Sequence, residues 1–205
     1  MLLTKESLDI INAPGVVKPR KEMLSLPEKV LQFGTGVLLR GLPGYLIDKA
    51  NQEGVFNGRI VVVKSTEGDT RNFSAQDNLY TLMVRGIEDN QPVEQNIICA
   101  SISRVLSANN DWNEVLQCAS NPELKIIISN TTEVGIQYVE EKIDTHVPQS
   151  FPAKLLSFLY HRYRVLGNDG SAGMVIVPTE LIPQNGDQLR SIILALSNFN
   201  GLDTG

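Results

Sequence analysis

The stretch Lys29-Val30-Leu31-Gln32-Phe33-Gly34-Thr35-Gly36-Val37-Leu38-Leu39-Arg40 reads as a short strand, a glycine turn and the opening of a helix. The apolar run before Gly34 suits a buried strand, and the periodic apolar residues from Val37 to Ala50 suit a helix packed against its sheet. A Gly-x-Gly turn between the two lets a ligand approach the backbone closely, and the free N–H groups that open a helix favour an anion there. Downstream, Asn57-Gly58 marks a turn before Arg59-Ile60-Val61-Val62-Val63-Lys64. Four consecutive β-branched residues predict a strand buried on both faces of a parallel sheet, which completes a βαβ unit.

Beyond this unit the chain is polar from Ser65 to Asp77. Asn78 to Val84 and Pro92 to Ser103 then read as two strands about the turn Glu88-Asp89-Asn90, a possible antiparallel insertion, with helix against strand left open over residues 92–105. Asn109 or Asn110 opens a helix over residues 111–119, and Asn121-Pro122-Glu123 separates it from a buried strand, Leu124 to Ile128. A helix from Pro152 to Leu166, a strand from Gly173 to Pro178 and a helix from Gly186 to Ser197 follow. Buried strands alternating with helices indicate an α/β fold with a largely parallel sheet. Residues 1–27, punctuated by Pro14, Gly15, Pro19 and Pro27, read as an N-terminal arm.

Composition narrows the functional classes. At 205 residues, 42% of them hydrophobic and 20% charged, the chain can bury a substantial core. A net charge of -5 argues against a nucleic-acid partner, which requires clustered Lys and Arg. No apolar run approaches the roughly 18 residues of a membrane span, and Met1 to Gly15 has no leader pattern, so a cytoplasmic protein is expected. Cys99 and Cys118 lack CxxC spacing and read as reduced, partly buried thiols. His146 and His161 belong to no paired metal-ligand motif, and no metal is expected.

In an open parallel sheet, ligands bind beyond the carboxyl ends of the strands. Three segments occupy such positions: Gly34 to Arg40, Ser129-Asn130-Thr131-Thr132-Glu133, and Pro178 to Gly186. Gly34 and Gly36 suit a pyrophosphate turn, although Leu39 stands where a third glycine is usual. Arg40 reads either as a phosphate or carboxylate ligand or as a solvated helix residue. The acid that normally binds a ribose is replaced by Lys64 and Ser65, with Glu67 and Asp69 slightly later, so charge alone leaves NAD and NADP both open. The Ser129–Glu133 segment could orient a nicotinamide or a sugar hydroxyl, or could simply cap a helix. The same pair of readings applies to Glu180 to Gly186.

These residues resemble the mannitol dehydrogenase family, and within it the tagaturonate reductase subgroup. Val30 to Arg40 is similar to its QFGxG turn followed by Leu-Arg. Four further segments resemble family segments in the same order: Ala75-Gln76-Asp77-Asn78-Leu79-Tyr80-Thr81, Ser129 to Ile136, Phe151-Pro152-Ala153-Lys154-Leu155 and Pro178 to Gly186. The resemblance implies a Rossmann-like, doubly wound dinucleotide-binding domain over residues 28–205, with a C-terminal helical substrate domain beyond this chain. It implies NAD as cofactor and a sugar acid, tagaturonate or altronate, as substrate. The implied cofactor contacts are Gln32, Phe33, Gly34, Thr35, Gly36, Leu39, Arg40, Lys64, Asn130 and Thr131. Asn185 would meet the substrate oxygen and Glu133 would face the nicotinamide, while the proton-transferring lysine is expected in the second domain. Arg40 and Lys154 are candidates for a substrate carboxylate. Two other functions stay open, a stand-alone nucleotide-binding or regulatory module and, less favoured, a Rossmann-like methyltransferase.

Overall fold

The computed structural model describes residues 2–66, 68–131, 135–143, 146–168 and 170–202. Among these residues the strands are β1 (Val16–Val17), β2 (Glu28–Phe33), β3 (Arg59–Lys64), β4 (Tyr80–Glu88), β5 (Gln91–Cys99), β6 (Ile102–Ser107), β7 (Ile126–Ser129) and β8 (Val175–Pro178). One sheet has the order β6-β3-β2-β7-β8 and a smaller one β1-β5-β4. Counted in chain order, the larger sheet reads 3-2-1-4-5, the doubly wound arrangement with its reversal between β2 and β7. The β-branched run Ile60 to Val63 is buried throughout, as a strand covered on both faces requires.

By density of contacts the chain divides into two compact units. The first comprises Met1–Lys29, Thr35–Val62 and Gly68–Val105. Its helical segments include α1 (Val37–Leu39), α2 (Tyr45–Gln52) and α3 (Arg71–Ser74). The single helix expected from Val37 to Ala50 is interrupted by a π-turn over Arg40–Gly44. Pro43 has no N–H to return to Leu39 O, so the α-helical ladder cannot close there and the turn widens.

A second departure from the sequence reading concerns residues 92–103, which break at Ala100-Ser101 into β5 and β6. The backbone changes partners at that point: Ala100 N donates to Asp48 Oδ1 at 2.7 Å, whereas Ser101 O accepts from Ile60 N at 2.8 Å. The buried guanidinium of Arg59 holds the junction by donating to Ala100 O and Ile102 O. β4 and β5 form the expected antiparallel hairpin, with Glu88 opposite Gln91 and both Asp89 and Asn90 at positive φ. Leu8, Leu79, Ile98 and Ala100 make a small core beneath it, and the N-terminal arm adds β1 in parallel to β5.

The second unit comprises Val30–Gly34, Val63–Glu67 and Leu106–Gly205, within the described residues. Its helices are α4 (Trp112–Gln117), α5 (Phe151–Leu166) and α6 (Asn185–Phe199). Helix α5 begins at Ser150, whose Oγ accepts from Ala153 N, and Pro152 sits in its first turn, where a missing N–H costs nothing. Phe151 meets Phe33 edge-on, with ring centroids 5.2 Å apart, and this contact ties the start of α5 to the end of β2. Ala153 and Leu156 of α5 pack with Leu196 of α6. On β8, Ile176 and Pro178 share an apolar groove with Leu189 and Ile193 of α6, while Val175 and Val177 are 63% and 40% exposed. Cys99 in the first unit and Cys118 in the second are both buried, more deeply than the sequence suggested, and Cys118 Sγ donates to Glu114 O at 3.3 Å.

Candidate functional site

In the second unit, β2 pairs with β7 and β7 with β8, both in parallel, so that Phe33, Ser129 and Pro178 stand in register. The chain leaving these ends is laced together by Asn130 N donating to Phe33 O at 3.2 Å and Thr179 N to Ser129 O at 2.8 Å. Gly34 N donates to Val63 O at 3.0 Å, and its φ of +117° is a conformation that L side chains avoid. The turn therefore needs glycine at position 34. Gln32, 1% exposed, braces it from below by donating from Nε2 to Gly34 O at 2.9 Å.

Beside this turn lies the carboxylate of Glu180, the first residue of the segment that the sequence left between a ligand contact and a helix cap. Glu180, 3% exposed, accepts from Thr131 N at 2.8 Å, Thr131 Oγ1 at 3.1 Å and Ser129 Oγ at 3.2 Å. A buried acid needs such donors in place of water, and in satisfying it the end of β7 is held in one shape. Asn130 adds a bond from Nδ2 to Thr179 O at 2.9 Å. Asn185 donates from Nδ2 to both Pro178 O and Glu180 O, at 2.9 and 3.1 Å, and accepts from Gly186 N. Both of its amide hydrogens are thus engaged in the β8–α6 turn, and a substrate oxygen would have to displace one of these carbonyls. Glu67, Thr132 and Glu133 lie outside the described residues.

Lys64, at the end of β3, folds its Nζ onto Thr66 O and Oγ1 at 3.0 and 2.9 Å. Lys154 is buried and donates to Gln149 O at 2.6 Å; burial lowers its pKa, opposed by Glu141, and no surface is left for a substrate carboxylate. A cleft of about 730 Å³ in this unit is lined by Asn109, Trp112, Asn113, His146 and Gln149 among others, and by none of the candidate residues.

In the first unit the turn continues through Thr35 and Gly36. Gly36 is exposed, and a Cβ built on it would meet nothing within 4 Å. Leu39 is wholly buried and offers no side-chain surface to a ligand, and the same holds for Gln32 and Phe33 in the second unit. Arg40 donates from Nη1 to Thr35 O and lies over the Phe73 ring, 5.8 Å from its centroid. The guanidinium is therefore part of the loop's own framework.

A largely parallel sheet in the doubly wound order, a glycine turn leaving its first strand at the reversal, and polar groups gathered on the neighbouring strand end define a Rossmann-type fold of the dinucleotide-binding class. The family pattern described as the mannitol dehydrogenase Rossmann domain matches residues 28–203. This chain belongs to the mannitol dehydrogenase family. It is 42% identical over 177 residues to an altronate oxidoreductase of Halalkalibacterium halodurans, covering 85% of this chain and 35% of that protein. To an altronate oxidoreductase of Bacillus subtilis it is 39% identical over 181 residues, covering 87% of this chain and 38% of that protein. The chain thus spans little more than a third of these relatives' lengths. Among solved structures, the Pseudomonas fluorescens mannitol 2-dehydrogenase ternary complex with NAD and D-mannitol superimposes with a TM-score of 0.83 at 22% identity, over 98% of this chain and 43% of that one. At that identity the likeness speaks for the fold.

Proposed function

We propose that this chain binds NAD(H) at the carboxyl ends of β2 and β7 and forms the cofactor domain of an enzyme that interconverts tagaturonate and altronate. The observation that carries the proposal is the Gly34-Thr35-Gly36 turn. It leaves the sheet at the reversal in a conformation that needs glycine, and a side chain at position 36 would fill open space above it. Such a cradle fits a pyrophosphate. The choice of sugar acid rests on the altronate oxidoreductases to which the chain is similar.

When bound, NAD(H) would accept or supply the hydride, and the chain's own residues bind and orient it. Gly34, Thr35 and Gly36 form the turn; Gln32 braces Gly34, and Arg40 braces Thr35. Lys64 stands at the end of β3, the position that faces the adenosine in this fold class. Asn130, Thr131 and Glu133 are assigned to the nicotinamide side, with Thr131 held by Glu180, and Asn185 to the substrate side. Absence of an acid at the end of β3 does not by itself select NADP, because the Lys64 ammonium is already bonded to Thr66.

Calorimetric titration with NADH and NADPH tests the reading. Saturable NADH binding is expected, lost in Gly36→Val with the unfolding temperature unchanged, since the added side chain meets no protein atom at its Cβ. No binding of either nucleotide would overturn it.

A further inference from the structure

Asn78-Leu79-Tyr80-Thr81, the segment that leads into β4, has no part in the cofactor contacts above. The Tyr80 hydroxyl donates to Arg40 O at 2.9 Å and lies 3.3 Å from Ser101 Oγ. Arg40 O belongs to the π-turn, where the α-helical bonding pattern is broken and a carbonyl is available to a side-chain donor. Gly44 makes room for the contact: a Cβ there would stand 2.6 Å from the Tyr80 oxygen. Arg40 in turn donates from its guanidinium to Thr35 O, inside the dinucleotide turn. Burial pushes the Tyr80 phenol far above its ordinary range, so the hydroxyl remains a donor at any working pH.

We propose that Tyr80 is a positioning residue for the dinucleotide turn, acting through Arg40, and that the β4–β5 hairpin serves as a buttress holding the Thr35-Gly36 backbone ready for a pyrophosphate. The proposal rests on the cofactor reading above. Two links carry it, Tyr80 hydroxyl to Arg40 carbonyl and Arg40 guanidinium to Thr35 carbonyl. Arg40 is thus gripped at its backbone by the hairpin while its side chain grips the turn. Phe73 adds a flat surface under the guanidinium, which limits the directions it can take. A hydroxyl present only to satisfy its own burial would find Ser101 sufficient; the second bond to Arg40 gives the hairpin a grip on the loop.

Tyr80→Phe, Arg40→Met and the double variant test this, with NADH affinity measured by calorimetry and amide hydrogen exchange over residues 34–40 measured without nucleotide. Each single variant is expected to weaken NADH binding about tenfold, as loss of one hydrogen bond at a preorganised site does. The double variant should be no weaker than the worse single one, because both act on one chain of contacts. Exchange at residues 35–37 should rise in Tyr80→Phe in the absence of nucleotide. Ile98→Val, which trims the core beneath the same hairpin, should lower the unfolding temperature and leave both readouts at their wild-type values. Additive losses, or wild-type affinity and exchange in Tyr80→Phe, would overturn the positioning role. If the wild-type chain binds no NADH, the cofactor reading fails on its own, and the exchange comparison alone decides whether Tyr80 orders the turn.

Discussion

Asp48 is buried at the point where β5 gives way to β6, and its Oδ1 accepts the Ala100 N–H at 2.7 Å. Desolvation is the dominant influence on it and raises its pKa from an ordinary 3.8 to about 6, against the opposing pull of the Ala100 and Gln52 hydrogen bonds. The folded protein therefore holds this proton more tightly than the unfolded chain. Its contribution to stability is fully present below about pH 4, declines as pH rises through about 6, and is absent above that. The upper bound is about 3 kcal/mol, two pKa units at about 1.4 kcal/mol each. Asp48→Asn keeps an acceptor for Ala100 and removes the titration, so the variant should be more stable than the wild type at neutral pH by up to that amount. Urea unfolding across this pH range checks it; identical pH dependence in the two proteins would refute it. Glu180 shows the limit of reading single residues from sequence. The acid stood in a segment read as a cap or a contact, yet its partners Ser129 and Thr131 lie about fifty positions away, and only pairing of β7 with β8 brings them together.

At the scale of elements, what the sequence made legible is what short-range chemistry decides. The runs Ile60–Val63 and Ile126–Ile128 announced strands because β-branched residues fill a two-sided sheet, and Asp89-Asn90 announced a hairpin because both tolerate the left-handed backbone its turn demands. The junction at Ala100-Ser101 was not legible. Apolar residues run from Ile97 to Ala100 and resume at Ile102, and the break is dictated by distant groups, Asp48 and Arg59. Pro43 lies inside the run read as one helix, and the loss of its N–H widens the turn there. The hairpin supplies a prediction: Asn90→Gly places at φ +60° a residue with no steric penalty there, and should stabilise the protein by less than about 1 kcal/mol, since Asn already tolerates this region. Chemical denaturation should show a higher midpoint with an unchanged slope, and a lower midpoint would contradict the turn assignment.

For the molecule as a whole, the alternation of buried strands and helices was enough to specify a largely parallel α/β fold, whereas the strand order needed the structure. A ligand that binds only the folded form stabilises all of it: at a hundredfold excess over its dissociation constant, NADH should add about 2.7 kcal/mol. That corresponds to a rise of roughly 5–10 °C in unfolding temperature for a chain of this size, with no rise in Gly36→Val. β8 is the outermost strand of its sheet, and its second edge carries no strand among the described residues. With Val175 and Val177 turned to solvent, it offers unpaired backbone and a β-branched surface together. Concentrated solutions of this chain should consequently scatter light as strand edges of different molecules find each other, and Val175→Lys, by placing a charge on that strand, should keep them clear.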